Sequence, residues 1–220
     1  MRERIQKAAL DCNRSADSIH LIAVSKTMPA EVVQEAIEAG VSDLGENYIQ
    51  EARDKINRLA RAPVNWHFIG HLQSNKAKYA VRLFDLIHSV DSLKLARELD
   101  KYAQKNDKIQ AVLIQVNVAR EDSKSGVYVE NTLNLLTDIA QLDNIAVKGL
   151  MTMPPYFNAP EKVRPFFVAL RELRDHIRSE RIPNIAMDEL SMGMTGDFEA
   201  AIEEGATMVR IGTAIFGERH

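Results

Sequence analysis

Eight short apolar runs, each ending in a polar or glycine residue, recur along the chain at 21–26, 43–48, 65–70, 86–91, 111–118, 146–153, 187–192 and 208–216. Between them lie segments of helical period at 29–39, 49–61, 74–83, 92–105, 128–142, 160–180 and 196–204, after a polar opening helix over 1–14. In the segment 29–39, Val32 with Ala36 and Val33 with Ile37 fall four residues apart on one face, as a surface helix requires. Near-continuous apolar strands alternating with helices belong to a parallel sheet covered by helices. Eight such units in 220 residues favour a closed (β/α)8 barrel, a compact TIM barrel, over an open doubly wound sheet. The dinucleotide-binding pattern of spaced glycines that would mark an open sheet is missing after the first run. No linker or low-complexity stretch divides the chain, so residues 1–220 read as a single α/β domain with the barrel over 21–216.

Composition narrows the function classes. A net charge of −3 and no basic stripe interleaved with aromatics argue against nucleic acid as a partner. No apolar run has the length of a signal peptide or membrane span, and the one cysteine, Cys12, cannot form an internal disulfide. A cytoplasmic protein is expected. His20, His88 and His176 share no ligand spacing with one another or with Cys12, so no metal site is expected. His67 reads as a hydrogen-bonded core histidine more readily than as a general base.

In a barrel of this kind, ligands bind at the C-terminal ends of the strands. The first run, Leu21-Ile22-Ala23-Val24-Ser25-Lys26, delivers a lysine to such an end. One reading is an amine that reaches back to solvent; the other is a nucleophile able to form a Schiff base with an aldehyde. The last two runs end in Ser191-Met192-Gly193-Met194-Thr195 and Arg210-Ile211-Gly212-Thr213. Backbone N–H groups and hydroxyls there suit a phosphate, with Ser191, Thr195 and Thr213 as donors and Gly212 allowing close approach. The competing reading makes Thr195 the N-cap of the helix that follows, and Asp197 and Glu199 already suit that helix's dipole. In a closed barrel strand eight adjoins strand one, so one ligand with both an aldehyde and a phosphate would span both features. Pyridoxal 5′-phosphate (PLP) is such a ligand, with Lys26 as its amine.

Ala23-Val24-Ser25-Lys26-Thr27, Gly45-Glu46-Asn47-Tyr48, Trp66-His67-Phe68-Ile69-Gly70, Leu72-Gln73-Ser74-Asn75-Lys76, Leu190-Ser191-Met192-Gly193-Met194 and Val209-Arg210-Ile211-Gly212-Thr213-Ala214-Ile215-Phe216-Gly217 together resemble the pyridoxal phosphate homeostasis protein family. The resemblance runs over nearly the whole chain. It implies a barrel like the N-terminal domain of alanine racemase, the type III fold of PLP proteins. It further implies a Schiff base on Lys26, phosphate near Ser191, Thr195, Gly212 and Thr213, Arg210 at the pyridine nitrogen or the phosphate side of the ring, and Asn47 beside the ring. Family members are described as monomers, and PLP-dependent enzymes or regulatory proteins are the protein partners expected beside PLP itself; the recipient of the cofactor is not named by the sequence. Two functions follow as expectations. The first is a non-catalytic carrier that buffers or delivers PLP; the alternative is a racemase-like enzyme of low activity. The second base of the racemases comes from an additional β-domain, and this chain runs only four residues past Phe216, which favours the carrier. A guanidinium at the ring nitrogen, unable to give up its proton, favours it too.

Overall fold

The computed structural model describes residues 1–59, 62–155, 157 and 159–217. Its strands are β1 (His20–Val24), β2 (Asp43–Glu46), β3 (Asn65–Phe68), β4 (Leu86–Val90), β5 (Gln110–Gln115), β6 (Ile145–Met151), β7 (Ile185–Ser191) and β8 (Met208–Ile211). They form a closed barrel in sequence order, all parallel. Closure is made by β8 on β1, where Ile22 lies opposite Arg210 and Ala23 opposite Ile211. The barrel expected from the eightfold alternation is therefore present.

The outer layer consists of α2 (Ala30–Glu38), α3 (Ile49–Arg58), α4 (Ala77–Leu83), α5 (Leu93–Gln104), α6 (Val129–Ile139), α7 (Arg164–Glu180) and α8 (Phe198–Glu203), preceded by α1 (Arg2–Asp11) and followed by the short α9 (Thr213–Phe216). Helix α7 shows why these segments cover the sheet. Phe167, Leu170, Leu173 and Ile177 recur at steps of three and four and are all buried, which makes one apolar stripe along the helix. In α5 the stripe is Leu95, Ala96, Leu99 and Ala103, and the Ser92 hydroxyl caps the first turn by accepting from the Leu95 N–H at 3.4 Å.

Several expected boundaries shift. The opening helix stops at Asp11, three residues short of the expectation. Residues 74–76 and 160–162 form single 3₁₀ turns ahead of α4 and α7. The run 208–216 is a strand only to Ile211, because Gly212 leaves the extended region (φ −113°, ψ −75°) and opens α9. Thr213 is thus a helical residue. The expected end, at 60–61, of the helical segment 49–61 lies outside the described residues.

Inside the barrel, Ile22, Leu86, Leu113, Met151 and Met208, from five different strands, form an apolar cluster separate from the sheet–helix core. The rest of the interior includes the buried polar side chains Asp43, His67, His88, Ser191 and Arg210. The register of β6 shifts against both neighbours near Gly149. A Cβ at Gly149 would sit 1.9 Å from the Glu189 carbonyl oxygen, so only glycine lets the two backbones approach this closely.

Gly149→Ala is expected to lower the unfolding free energy in urea by about 2 kcal/mol or more, since overpacking against backbone has nowhere to relax. Gly196→Ala, where nothing lies within 4 Å of the added methyl, should stay within about 0.5 kcal/mol of wild type. Equal losses in the two variants would refute the steric account.

Candidate ligand site at the strand C-terminal ends

Lys26 lies in the turn just beyond β1, half-buried. The turn is held by a buried cluster. Lys55, on α3 and only 5% exposed, donates to the Ser25 carbonyl oxygen at 2.5 Å, to Glu46 Oε1 at 2.8 Å and to Glu51 Oε1 at 2.6 Å. The Ser25 hydroxyl donates to the same Glu46 oxygen at 2.6 Å, and the Thr27 N–H donates to Glu51 Oε1. The residues on both sides of Lys26 are therefore tied to one charge cluster. Thr27 has φ +66°, a conformation that costs a β-branched residue about 1–3 kcal/mol and persists only when its surroundings over-determine it. Burial pushes the Glu46 carboxyl up, opposed by hydrogen bonds from Lys55 and Ser25 and by the Lys55 charge.

Asn47 follows β2, half-buried, with a side-chain oxygen that has no hydrogen-bond partner. Its backbone is fixed from β3: a Cβ at Gly70 would lie 2.3 Å from the Asn47 carbonyl oxygen. A cavity of about 430 Å³ opens beside Asn47, lined among others by Arg53, Phe68, His71, Lys76 and Tyr79. A larger cavity, about 970 Å³, lies against α1 and the strand residues His20 and Asp43. It includes none of the expected ligand residues, so the chemistry and not the volume locates the site.

Arg210, on β8 beside β1, is only 4% exposed. It donates to Ser191 Oγ at 2.6 Å and to the Thr152 carbonyl oxygen at 2.8 Å. Among the described residues no carboxylate reaches salt-bridge distance of it. Burial lowers its pKa to about 10, with Asp197 pulling the other way, so it is cationic at neutral pH. A buried cation without a counter-ion is costly and calls for an acceptor. Ser191 is buried and already engaged by Arg210 and by His88 Nδ1 at 2.9 Å. Its place is inside the barrel next to the guanidinium. Gly212 stands next to β1, where a Cβ would lie 3.4 Å from both the Cβ and the carbonyl oxygen of Val24. Thr213 is exposed at the start of α9, where the first helical N–H groups have no intrahelical acceptor.

Thr195 is half-buried in the loop after β7. It does not cap α8: Asp197 occupies the N-cap position and makes no side-chain cap bond, while its carboxylate accepts from the Met194 N–H at 2.6 Å inside the loop. Asp197, two residues nearer the helix, takes that position instead, and its carboxylate is engaged inside the loop. His67 is a hydrogen-bonded core residue, as its setting in an apolar strand suggested, with both ring nitrogens engaged. Sequence reasoning missed Lys55, whose only visible signal is its i,i+4 spacing from Glu51, and Thr152, which takes part through its backbone.

The alanine racemase N-terminal domain model matches residues 3–220. A pyridoxal phosphate homeostasis protein of Aquifex aeolicus is 50% identical over 217 residues, covering 99% of this chain and 94% of that protein. The solved structure of PipY from Synechococcus elongatus with PLP bound superposes with a TM-score of 0.86 at 35% identity, covering 97% of this chain and all of that one. Alanine racemase of Clostridium difficile, 14% identical with a TM-score of 0.75, shares the fold and is covered over 55% of its length. The chain thus belongs to the pyridoxal phosphate homeostasis protein family, with the barrel of the alanine racemase N-terminal domain.

Proposed function

We propose that this chain binds PLP reversibly on Lys26 and holds it for delivery within the cell, without turning over amino acids. The observation that carries this reading is the buried Arg210 guanidinium, which has no carboxylate at salt-bridge distance among the described residues and stands on the strand beside the one that leads into Lys26. The residues present fit the cofactor. Lys26 would offer the amine, Arg210 and the unpartnered oxygen of Asn47 would serve the ring, and Gly212 and Thr213 at the start of a short helix would hold the phosphate. Thr195 in the preceding loop would add a hydroxyl, and Ser191 accepts from Arg210 and so orients it. The names of the relatives and the PLP in the Synechococcus structure support the same ligand.

Bound PLP supplies an aldehyde carbon for amine exchange and a ring that draws electrons strongly only when its nitrogen is protonated. Arg210 keeps its own hydrogens, since a group titrating at about 10 is a weak acid at neutral pH. The chain's residues then bind and orient the ring without activating it, which supports a carrier over a racemase-like enzyme. The Lys55 cluster adds positional control by fixing the backbone on either side of the amine.

Three measurements test this reading. Purified wild type mixed with PLP should develop a visible absorption band that Lys26→Ala lacks; a wild type that stays colourless would remove PLP as the ligand. Arg210→Gln should keep its far-UV circular dichroism yet release PLP about tenfold faster or more, the loss of a hydrogen bond from a charged donor; an unchanged release rate would refute the role of Arg210. A panel of L-amino acids should give no sustained multi-turnover racemisation, and steady turnover would overturn the carrier reading.

A further inference from the structure

Five buried side chains on five strands form one hydrogen-bonded chain across the barrel. Arg210 donates to Ser191 Oγ at 2.6 Å, and Ser191 Oγ lies 2.9 Å from His88 Nδ1. His88 Nε2 lies 2.9 Å from His67 Nδ1, and His67 Nε2 lies 3.2 Å from Asp43 Oδ1. Asp43 is further bound by the Ser42 hydroxyl at 2.6 Å and the Asn65 amide at 3.0 Å. It also lines the large cavity at the strand starts, so the chain reaches from a solvent-facing cavity to the guanidinium at the ligand end.

Counting hydrogens fixes what this chain can do. Arginine only donates, so Ser191 accepts from Arg210. Burial disfavours charge on Asp43, but hydrogen bonds from His67, Ser42 and Asn65 outweigh it and hold the carboxyl below its usual range. Asp43 therefore accepts, and His67 Nε2 carries a hydrogen. Burial, with the charges of His67 and Arg210, holds His88 neutral, so His88 has a single N–H. Two patterns remain. With His67 neutral, His88 Nε2–H donates to His67 Nδ1 and the Ser191 hydroxyl donates to His88 Nδ1. With one more proton on His67, its Nδ1–H donates to His88 Nε2, His88 Nδ1–H donates to Ser191, and the Ser191 hydrogen is freed for another acceptor.

We propose that Asp43, His67 and His88 are positioning residues that couple one proton at His67 to the direction of the Ser191 hydroxyl, so that an anionic ligand beside Arg210 binds with proton uptake. The charges that face the histidine pair are Asp43 from β2 and Arg210 from β8. Asp43 favours the added proton and Arg210 opposes it, while a ligand acceptor at Ser191 and Arg210 tips the balance toward uptake. The coupling to a ligand rests on the assignment of Arg210 to PLP; the tautomer exchange within the chain does not.

Nitrogen NMR of the histidines in the ligand-free protein tests the exchange directly. On lowering the pH, His67 is expected to gain a second ring hydrogen in the same step in which the hydrogen of His88 moves from Nε2 to Nδ1. Independent titration, or a His88 hydrogen fixed on one nitrogen throughout, would overturn the proposal. Calorimetry of PLP binding in buffers of different ionisation enthalpy tests the coupling. Wild type should take up about one proton more than Asp43→Asn, which leaves His67 an acceptor but removes the charge that stabilises its protonated form. Equal uptake in the two proteins, with PLP bound by both, would refute the coupling while leaving the carrier function intact. A wild type that binds no PLP would instead sink the carrier function and the coupling with it, leaving the tautomer exchange to stand on the NMR alone.

Discussion

A guanidinium buried without a carboxylate is the constraint around which the ligand end of this barrel is built. Removing a cation from water costs several kcal/mol, and Arg210 recovers part of that from a hydroxyl, a carbonyl and the more distant charge of Asp197. At the far end of its hydrogen-bonded row stands Asp43, reached through Ser191, His88 and His67. Opposite charges thus occupy the two ends of one polar row. The apolar cluster of Ile22, Leu86, Leu113, Met151 and Met208 lies in the same interior, where it lowers the local dielectric and strengthens every bond of the row.

The amine on β1 is governed differently. Its neighbours Ser25 and Thr27 are bound by Lys55, Glu46 and Glu51, and two of those charges are almost fully buried. Their mutual neutralisation lets a strained turn persist next to Lys26. One half of the site is therefore oriented by ion pairing outside the barrel wall, and the other half by a polar row inside it. Closure of β8 on β1 brings the two halves together.

The fold was legible because apolar runs and helical stripes repeat with little interruption, and because a lysine or arginine at the end of an apolar run is conspicuous. Lys26 and Arg210 stood out for that reason. The supports did not. Lys55 sits among Asp54, Ile56 and Asn57 like any solvated helix residue, and its burial depends on how α3 docks against the turn after β1. Asp43, His67 and His88 share the barrel interior with Ser191 and Arg210 only because strand register places them so, and register between parallel strands is fixed by backbone pairing that a single sequence does not display. Only the competing cap reading of Thr195 failed, and for a local reason: several polar residues crowd that loop, and Asp197, two residues nearer α8, took the cap position.

The close approach of Gly70 to the Asn47 backbone shapes one side of this mouth. No side chain fits between the two loops there, so the outline of the rim at that point is drawn by main chain, and any larger residue in place of Gly70 has to push the Asn47 backbone aside.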